Sequence, residues 1–307
     1  MIFLFGIPSE PPIALLAEAA AQADVPVLLL NQRHAAHTAL SLSVDGNGAT
    51  AILDIGGQRH RLEEMTGYYP RPIGVNDLPE HKARGRTPPD PVAMAHAEAL
   101  TAGLVEWTDL APGHVANRAG AMGSNGSKPY QAALIRDAGL GVPETLVTND
   151  PQAVRDFHAR HGRLIFKSTS GVRSIVREWL PGTDLGRLRA LPTQFQALVP
   201  GTDIRVHVAG GRLLAHRIRS DAIDYRYGGR DGLETGIEAT ELPDDVADRC
   251  LTLCRAMGLL FAGIDLRVTP DGEWVCFEVN PSPAYSYYQE HTGQDIAGAL
   301  LAALTGA

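Results

Sequence analysis

Residues 263–280, GIDLRVTPDGEWVCFEVN, read as two β-strands joined by the segment TPDGE, with Pro281 ending the second. Proline has no N–H to give to a ladder, so pairing stops at Asn280. Side chains at i and i+2 point the same way, which sets Glu278 and Asn280 on one face at a sheet end. A polar residue and a proline at a strand end are also common as plain structure, so the neighbouring strand has to decide. For Asp265 to stand opposite Glu278, residues 270–273 must form a four-residue loop; a two-residue turn would misplace the pair unless a bulge corrects it. Two carboxylates and an amide carbonyl are hard oxygen donors of the kind Mg2+ prefers. Asp265, Glu278 and Asn280 are accordingly candidate ligands for one or two ions.

The rest of the chain must give this sheet a body. At 307 residues it is too long for one small core and predicts two or three lobes. IFLF at 2–5, an alanine-rich helix from about Pro12 to Ala23 and VPVLLL at 25–30 make the βαβ rhythm of a parallel sheet, hence an α/β lobe. Strand candidates LSLSV, ATAILDI and HRL follow, and GYYPRPIG closes the group. Residues 76–91 combine prolines with His81, Lys82, Arg84 and Arg86 without an apolar period, which predicts a loop with a basic face. A helix over 92–107 leads to the glycine-rich NRAGAMGSNGSKP and a second helix that Pro129 opens.

The strand RLIFK ends on Lys167 and runs into STSGVRS, a loop small enough to fold its amides over phosphates while the lysine supplies a point charge. A lysine snorkelling at a strand end is the alternative reading. DIRVHV and LLAHRI are joined by Gly210 and Gly211 in a hairpin. If that turn pairs residue 209 with 212, Arg205 and Arg217 face opposite sides, and at most one faces the carboxylates. A loop is expected over 219–239, then a helix over 243–257 and a closing helix in DIAGALLAAL.

The formal charge of −8 excludes nucleic-acid binding by bulk phosphate neutralisation, so phosphate binding has to come from specific residues. Cys250 and Cys254 have no second pair to complete a zinc site and read, with the third cysteine, as buried thiols of a reducing cytosol. The opening MIFLFGIPSEPP lacks a basic n-region and reads as a buried strand, and no run reaches membrane-spanning length. A cytoplasmic protein without membrane or nucleic-acid partners is expected.

The order of these segments resembles the ATP-grasp ligases, and within them the RimK-like branch with its peptide maturases of the graspetide (microviridin) type. YYPRP at 68–72 is similar to the segment ending their first domain, and SKPYQAALIRDAGLGVPETLVTNDP to their lysine-led helix and strand. FKSTSG is similar to the second ATP lysine and its loop, PTQFQALVPGTDIRVHVAGGRLLAHRI to the hinge and hairpin, and DYR at 224–226 to the basic segment after it. GIDLRVTPDGEWVCFEVNPSPAYSYYQEHTGQDIAGAL is similar to the metal strands and closing helix. The resemblance implies an N-terminal Rossmann-like domain over 1–112, a central ATP-grasp subdomain over 113–192 and a C-terminal one over 193–307. It implies a ligase that activates a carboxylate with ATP and joins it to an amine or hydroxyl, with a precursor peptide as substrate and a homodimer as assembly. An amino-acid or dipeptide ligase and a non-catalytic binding module are the alternatives.

Carried over by position, Lys128, Lys167, Ser168, Ser170 and Gly171 would meet ATP phosphates, Gln196, Ala197 and Val199 the adenine, and Asp203 the ribose. Asp265, Glu278 and Asn280 would hold two Mg2+ ions, with Mn2+ as a substitute, and Arg217 and Arg226 would steady the transferring phosphoryl group. The chain departs from the family pattern at Ala197, at Val172 and Arg173, and in PSPAYSYY after Asn280. Loops 168–174 and 219–239 are expected to close over bound substrates.

Overall fold

The computed structural model describes residues 1–82, 90–168, 176–220 and 236–307, with the backbone alone at Ser168. Strands β1 (Ile2–Gly6), β2 (Val27–Asn31), β6 (Gly67–Arg71) and β7 (His114–Val115) form a parallel sheet in the order β2-β1-β6-β7. The first sheet thus takes its last strand from beyond residue 112. Strand β1 lies between two parallel neighbours and is buried throughout. Its continuous apolar run follows from that: Ile2 and Leu4 enter one core, and Phe3 and Phe5 the core on the other face. Helix α1 (Pro11–Gln22) opens with prolines in its first turn, where a missing N–H is harmless. Strands β3 (Thr38–Asp45), β4 (Gly48–Ile55) and β5 (Gln58–Arg61) make an antiparallel meander, packed against α2 (Pro91–Leu110).

Helix α3 (Lys128–Asp137) leads to a second sheet, antiparallel, built from β8 (Thr145–Thr148), β9 (Leu164–Ser168), β10 (Arg177–Trp179) and β11 (Thr193–Ala197) in the order β10-β9-β11-β8. Helix α4 (Pro151–His161) covers one face, where Val154 and Phe157 meet Leu164, Trp179 and Phe195. The two-residue period of β11 then turns Gln194 and Gln196 to the other face.

The third sheet runs β14-β13-β12-β15-β16, from β12 (Thr202–Ala209), β13 (Arg212–Arg219), β14 (Gly236–Thr240), β15 (Phe261–Val268) and β16 (Trp274–Asn280). Ile204, Val206, Ile264, Leu266, Cys276 and Val279 form a core under α5 (Asp244–Ala256). The opposite face packs Leu214, Ile218 and Phe261 against α7 (Ile296–Thr305) and against Tyr288 of α6 (Ser286–Thr292). All three cysteines are free and buried, as expected, and burial pushes the Cys250 and Cys254 thiols up to about 12.

The hairpin turn pairs Ala209 with Arg212 across Gly210 and Gly211, as its spacing predicts. Residues 236–240 correct the expected loop over 219–239: they form β14, bonded along β13 from Thr240 to Gly236. GIEAT has too few apolar residues to announce a strand; the open edge of β13 supplies the reason for it. Arg84 and Arg86, the loop over 169–174 and the DYR segment lie outside the described residues. No helix among the described residues is long and apolar enough to cross a membrane.

His207 and His216 are fully buried across β12 and β13, with Nδ1 and Nε2 3.2 Å apart. One ring has to donate and the other accept. Burial and then the Arg205 charge hold His216 down at about 4, and burial, Arg205 and His216 hold His207 well below its ordinary value. An unfolded histidine titrates near 6.5, so as pH falls from there towards 4 the unfolded chain takes up a proton that native His216 refuses. Stability contributed by the neutral ring is therefore present above the unfolded pKa and lost through that window. His216 alone should cost roughly 2 kcal/mol between about pH 7.5 and pH 5. Urea denaturation at both pH values should show a smaller loss in His216→Met; an equal loss in both proteins would remove the imidazole as its cause.

Candidate active site

Two registers join β15 to β16. Val268, Arg267 and Leu266 pair with Trp274, Val275 and Cys276, whereas Asp265, Ile264 and Gly263 pair with Glu278, Val279 and Asn280. Phe277 is the extra residue of a β-bulge. The turn is therefore shorter than four residues: Thr269 N–H donates to the Glu273 carbonyl at 2.9 Å, and Gly272 takes the left-handed φ of 89° between them. The bulge keeps Cys276 and Val279 in one core although their numbers differ in parity. Glu278 and Asn280 consequently share the opposite face with Asp265.

Each carboxylate already faces a cation. Lys128 Nζ, at the first turn of α3, lies 3.5 Å from Glu278 Oε2. Arg205 stands across the ladder from Asp265 and donates from Nη1 to Oδ1 at 2.7 Å. Its guanidinium lies on Gly263, where a Cβ would collide with it, and 5.9 Å from the Tyr288 ring centre. Asn280 Oδ1 accepts from Ser282 N–H at 2.9 Å, which leaves its second lone pair for another partner. The three donors are oxygens only, two of them anionic, a set that fits Mg2+ completed by water and phosphate. Among the described residues no cluster of three or more His, Cys, Asp or Glu offers an alternative metal site.

Arg217 does not join this group. It pairs with Ile204, so its stem lies on the α5 face, and its head is half-exposed 3.7 Å from Glu238. On the face of Asp265 stands Arg205, which the sequence offered only as one of two options. Arg226, Ser170 and Gly171, and the side chain of Ser168, lie outside the described residues.

Between β11 and β16 opens a cleft of about 450 Å3, a common size for a small-molecule site, lined among others by Lys128, Thr145, Gln194, Gln196 and Phe277. Lys167 is buried and pairs with Gln194, so both side chains point to one face. Thr145 donates its only hydroxyl hydrogen to Pro143 C=O at 2.8 Å, so it can only accept from Gln196 Nε2 at 3.1 Å. That fixes the amide of Gln196 and leaves its oxygen, buried, with no hydrogen bond among the described residues. The hinge after β11 is held by its backbone: Ala197 N–H donates to Glu144 C=O and Leu198 N–H to Arg163 C=O, both at 2.9 Å. Arg267 grips both oxygens of Asp203, bonds Val199 C=O at 2.7 Å and lies 5.2 Å from the Phe277 ring centre.

Two contacts that no local motif announces tie the first lobe to the loop behind Asn280. Arg71, within YYPRP, bonds Glu10, Ser282 Oγ and the Pro283 carbonyl. Asn117, 1% exposed, donates to the carbonyls of Phe261 and Pro281 and accepts from Leu260 and Phe261 N–H.

A model of the RimK-like ATP-grasp domain matches residues 133–304, more than half of the chain. A probable alpha-L-glutamate ligase of Teredinibacter turnerae is 27% identical over 202 residues, 61% of this chain and 65% of that protein. One from Shewanella loihica is 25% identical over 198 residues, 60% and 64% of the two chains. The matched part thus spans less than two thirds of these relatives. The ATP-grasp ligase PsnB, solved with a minimal precursor, Mg and ADP, superposes with a TM-score of 0.78 at 28% identity, covering 99% of this chain and 97% of its own. The macrocyclase MdnC of Microcystis aeruginosa, bound with precursor peptide MdnA, reaches 0.81 at 20% identity over 100% and 99% of the chains, a likeness of fold alone. The architecture is the ATP-grasp fold with a Rossmann-like parallel sheet before it, as the sequence resemblance implied. With its family model, its fold and its paired carboxylates beside the cleft in agreement, the chain belongs to the RimK-like ATP-grasp family.

Proposed function

We propose that this protein is a Mg2+-dependent ligase that uses ATP to convert a carboxylate into an acyl phosphate and joins it to an amine or hydroxyl, with a peptide as substrate. The observation that carries the reading is the pairing of Asp265 with Glu278, which meets Lys128 at the lining of the cleft. Lys128 and Lys167 would neutralise phosphate charge, Gln196 and the hinge at 197–199 would read the base, and Asp203 would stand near the ribose. Asp265, Glu278 and Asn280 would hold Mg2+, which when bound supplies charge neutralisation and orientation at the phosphate oxygens. Lys128 rests 3.5 Å from Glu278, and with Mg2+ held at that carboxylate its ammonium would be free to meet phosphate. Arg205 would keep Asp265 aimed, a positioning task distinct from the phosphoryl clamp that the resemblance gave to Arg217 and Arg226. Because the acyl phosphate is already activated, the chain mainly positions groups and needs few bases of its own.

The peptide reading is supported by the match to PsnB over almost its full length, the protein solved with its precursor. The names of the curated relatives favour a second reading, addition of an amino acid such as glutamate. A cytosolic setting is supported by three buried free thiols, and three lobes bounded near residues 112 and 192 and a homodimeric assembly complete the proposal. ADP release in MgATP should rise when an acidic peptide is added and exceed the rise with free glutamate. Nucleotide binding without ADP release under any acid and acceptor pair would reduce the protein to a binding module. Lys167→Ala should weaken MgATP binding at least tenfold, as loss of a charged hydrogen bond does, and leave peptide binding unchanged; equal losses by calorimetry would displace it from the phosphates.

A further inference from the structure

Strand β11 carries a polar residue that no motif explains. Gln194 is 2% exposed, one turn of the pleat before Gln196, and lines the same cleft. On the other side of the strand Phe195 fills the α4 core, so the fold asks only for a buried side chain at 194, and an aliphatic one would serve. Instead the oxygen of the Gln194 amide, like that of Gln196, is buried with no hydrogen bond among the described residues. A buried acceptor without a donor is costly. Two such acceptors stand two residues apart on one strand face, along one wall of the cleft.

We infer that Gln194 is a second base-reading residue of the cleft, acting with Gln196 as a pair of acceptors for the exocyclic amine of adenine. The inference rests on the proposed ATP reading and names what that site selects. The two Cα atoms are about 6.6 Å apart along the strand. Both amide oxygens can therefore lie about 2.9 Å from one nitrogen between them. An exocyclic amine has two hydrogens to give, one for each oxygen. Phe277, Val142 and Pro143 line the same cleft with the apolar surface that a planar base requires. Guanine would present a carbonyl oxygen at that position and leave both acceptors facing a third. The Gln196 amide cannot flip to accommodate it, because Thr145 holds its nitrogen.

The test is calorimetric binding of the Mg2+ complexes of ATP, GTP and purine riboside triphosphate, which lacks the amine. The wild type should bind ATP at least thirtyfold more tightly than purine riboside triphosphate, from about tenfold for each lost hydrogen bond that strands an acceptor. Gln194→Met should bind ATP about tenfold less tightly and purine riboside triphosphate within threefold of wild type, and Gln194→Glu should restore the preference for the amine. Equal losses of both ligands in Gln194→Met would overturn the proposal and leave a packing role. If that variant does not fold, the wild type with N6-methyl- and N6,N6-dimethyl-ATP decides: affinity should fall in two steps, and a single step would overturn the second acceptor. A wild type that binds no triphosphate would instead overturn the ATP reading itself.

Discussion

Glu278→Gln should lower ADP release by roughly 10²- to 10³-fold, the range seen when a group that stabilises developing charge is removed, with a melting temperature close to wild type. The side chain is partly exposed at a strand end, and its ion pair with Lys128 is long at 3.5 Å. Exchanging the carboxylate for an amide therefore removes a charge from the face and no volume from a core. Asp265→Asn should lose a similar amount of activity, and Asn280→Ala less, since a neutral donor is replaced by water more readily. The measurement is initial-rate ADP formation across a Mg2+ titration, where Glu278→Gln should need far more metal. Wild-type rates in that variant at low Mg2+ would sink the metal assignment of the pair.

The two arginines of the hairpin should separate cleanly. Arg205→Met leaves Asp265 beside an uncharged stem in a site where the arginine is only 6% exposed. Breaking one side of a buried pair typically costs 3–5 kcal/mol, so about that loss of stability and at least a hundredfold loss of activity are expected together. Adding Asp265→Asn to Arg205→Met should recover most of the stability and none of the activity, which distinguishes a fold defect from a lost electrostatic task. Arg217→Ala should stay within about threefold of wild-type activity, because among the described residues its half-exposed head meets Glu238, on the far side of the sheet from Asp265. A large activity loss in Arg217→Ala with unchanged stability would return the clamp role to that residue.

These two predictions depend on face, and face was only partly readable beforehand. The hairpin turn between residues 209 and 212 told Arg205 from Arg217 by parity, but not which of them met Asp265. That answer lies in the pairing of β12 with β15, strands about sixty residues apart, and no local pattern encodes a long-range register. The bulge at Phe277 is similar. The requirement that Asp265 oppose Glu278 was legible, together with its two solutions, yet the choice of a bulge over a longer turn came from packing Cys276 and Val279 into one core.

What the sequence by itself determined is local: the βαβ opening, the proline-started helices, the Gly210-Gly211 turn, the two lysines and the oxygen donors ahead of Pro281. Each rests on dihedral limits, hydrogen-bonding capacity or a short period, which act over a few residues. Tertiary structure alone decided that Gly263 makes room for Arg205, that Asn117 and Arg71 fasten the loop behind Asn280, that residues 236–240 complete an edge as β14, and that Gln194 looks into a cleft. Those outcomes depend on which distant surfaces meet, and a side chain's partner across a sheet or between lobes is set by the packing of whole elements.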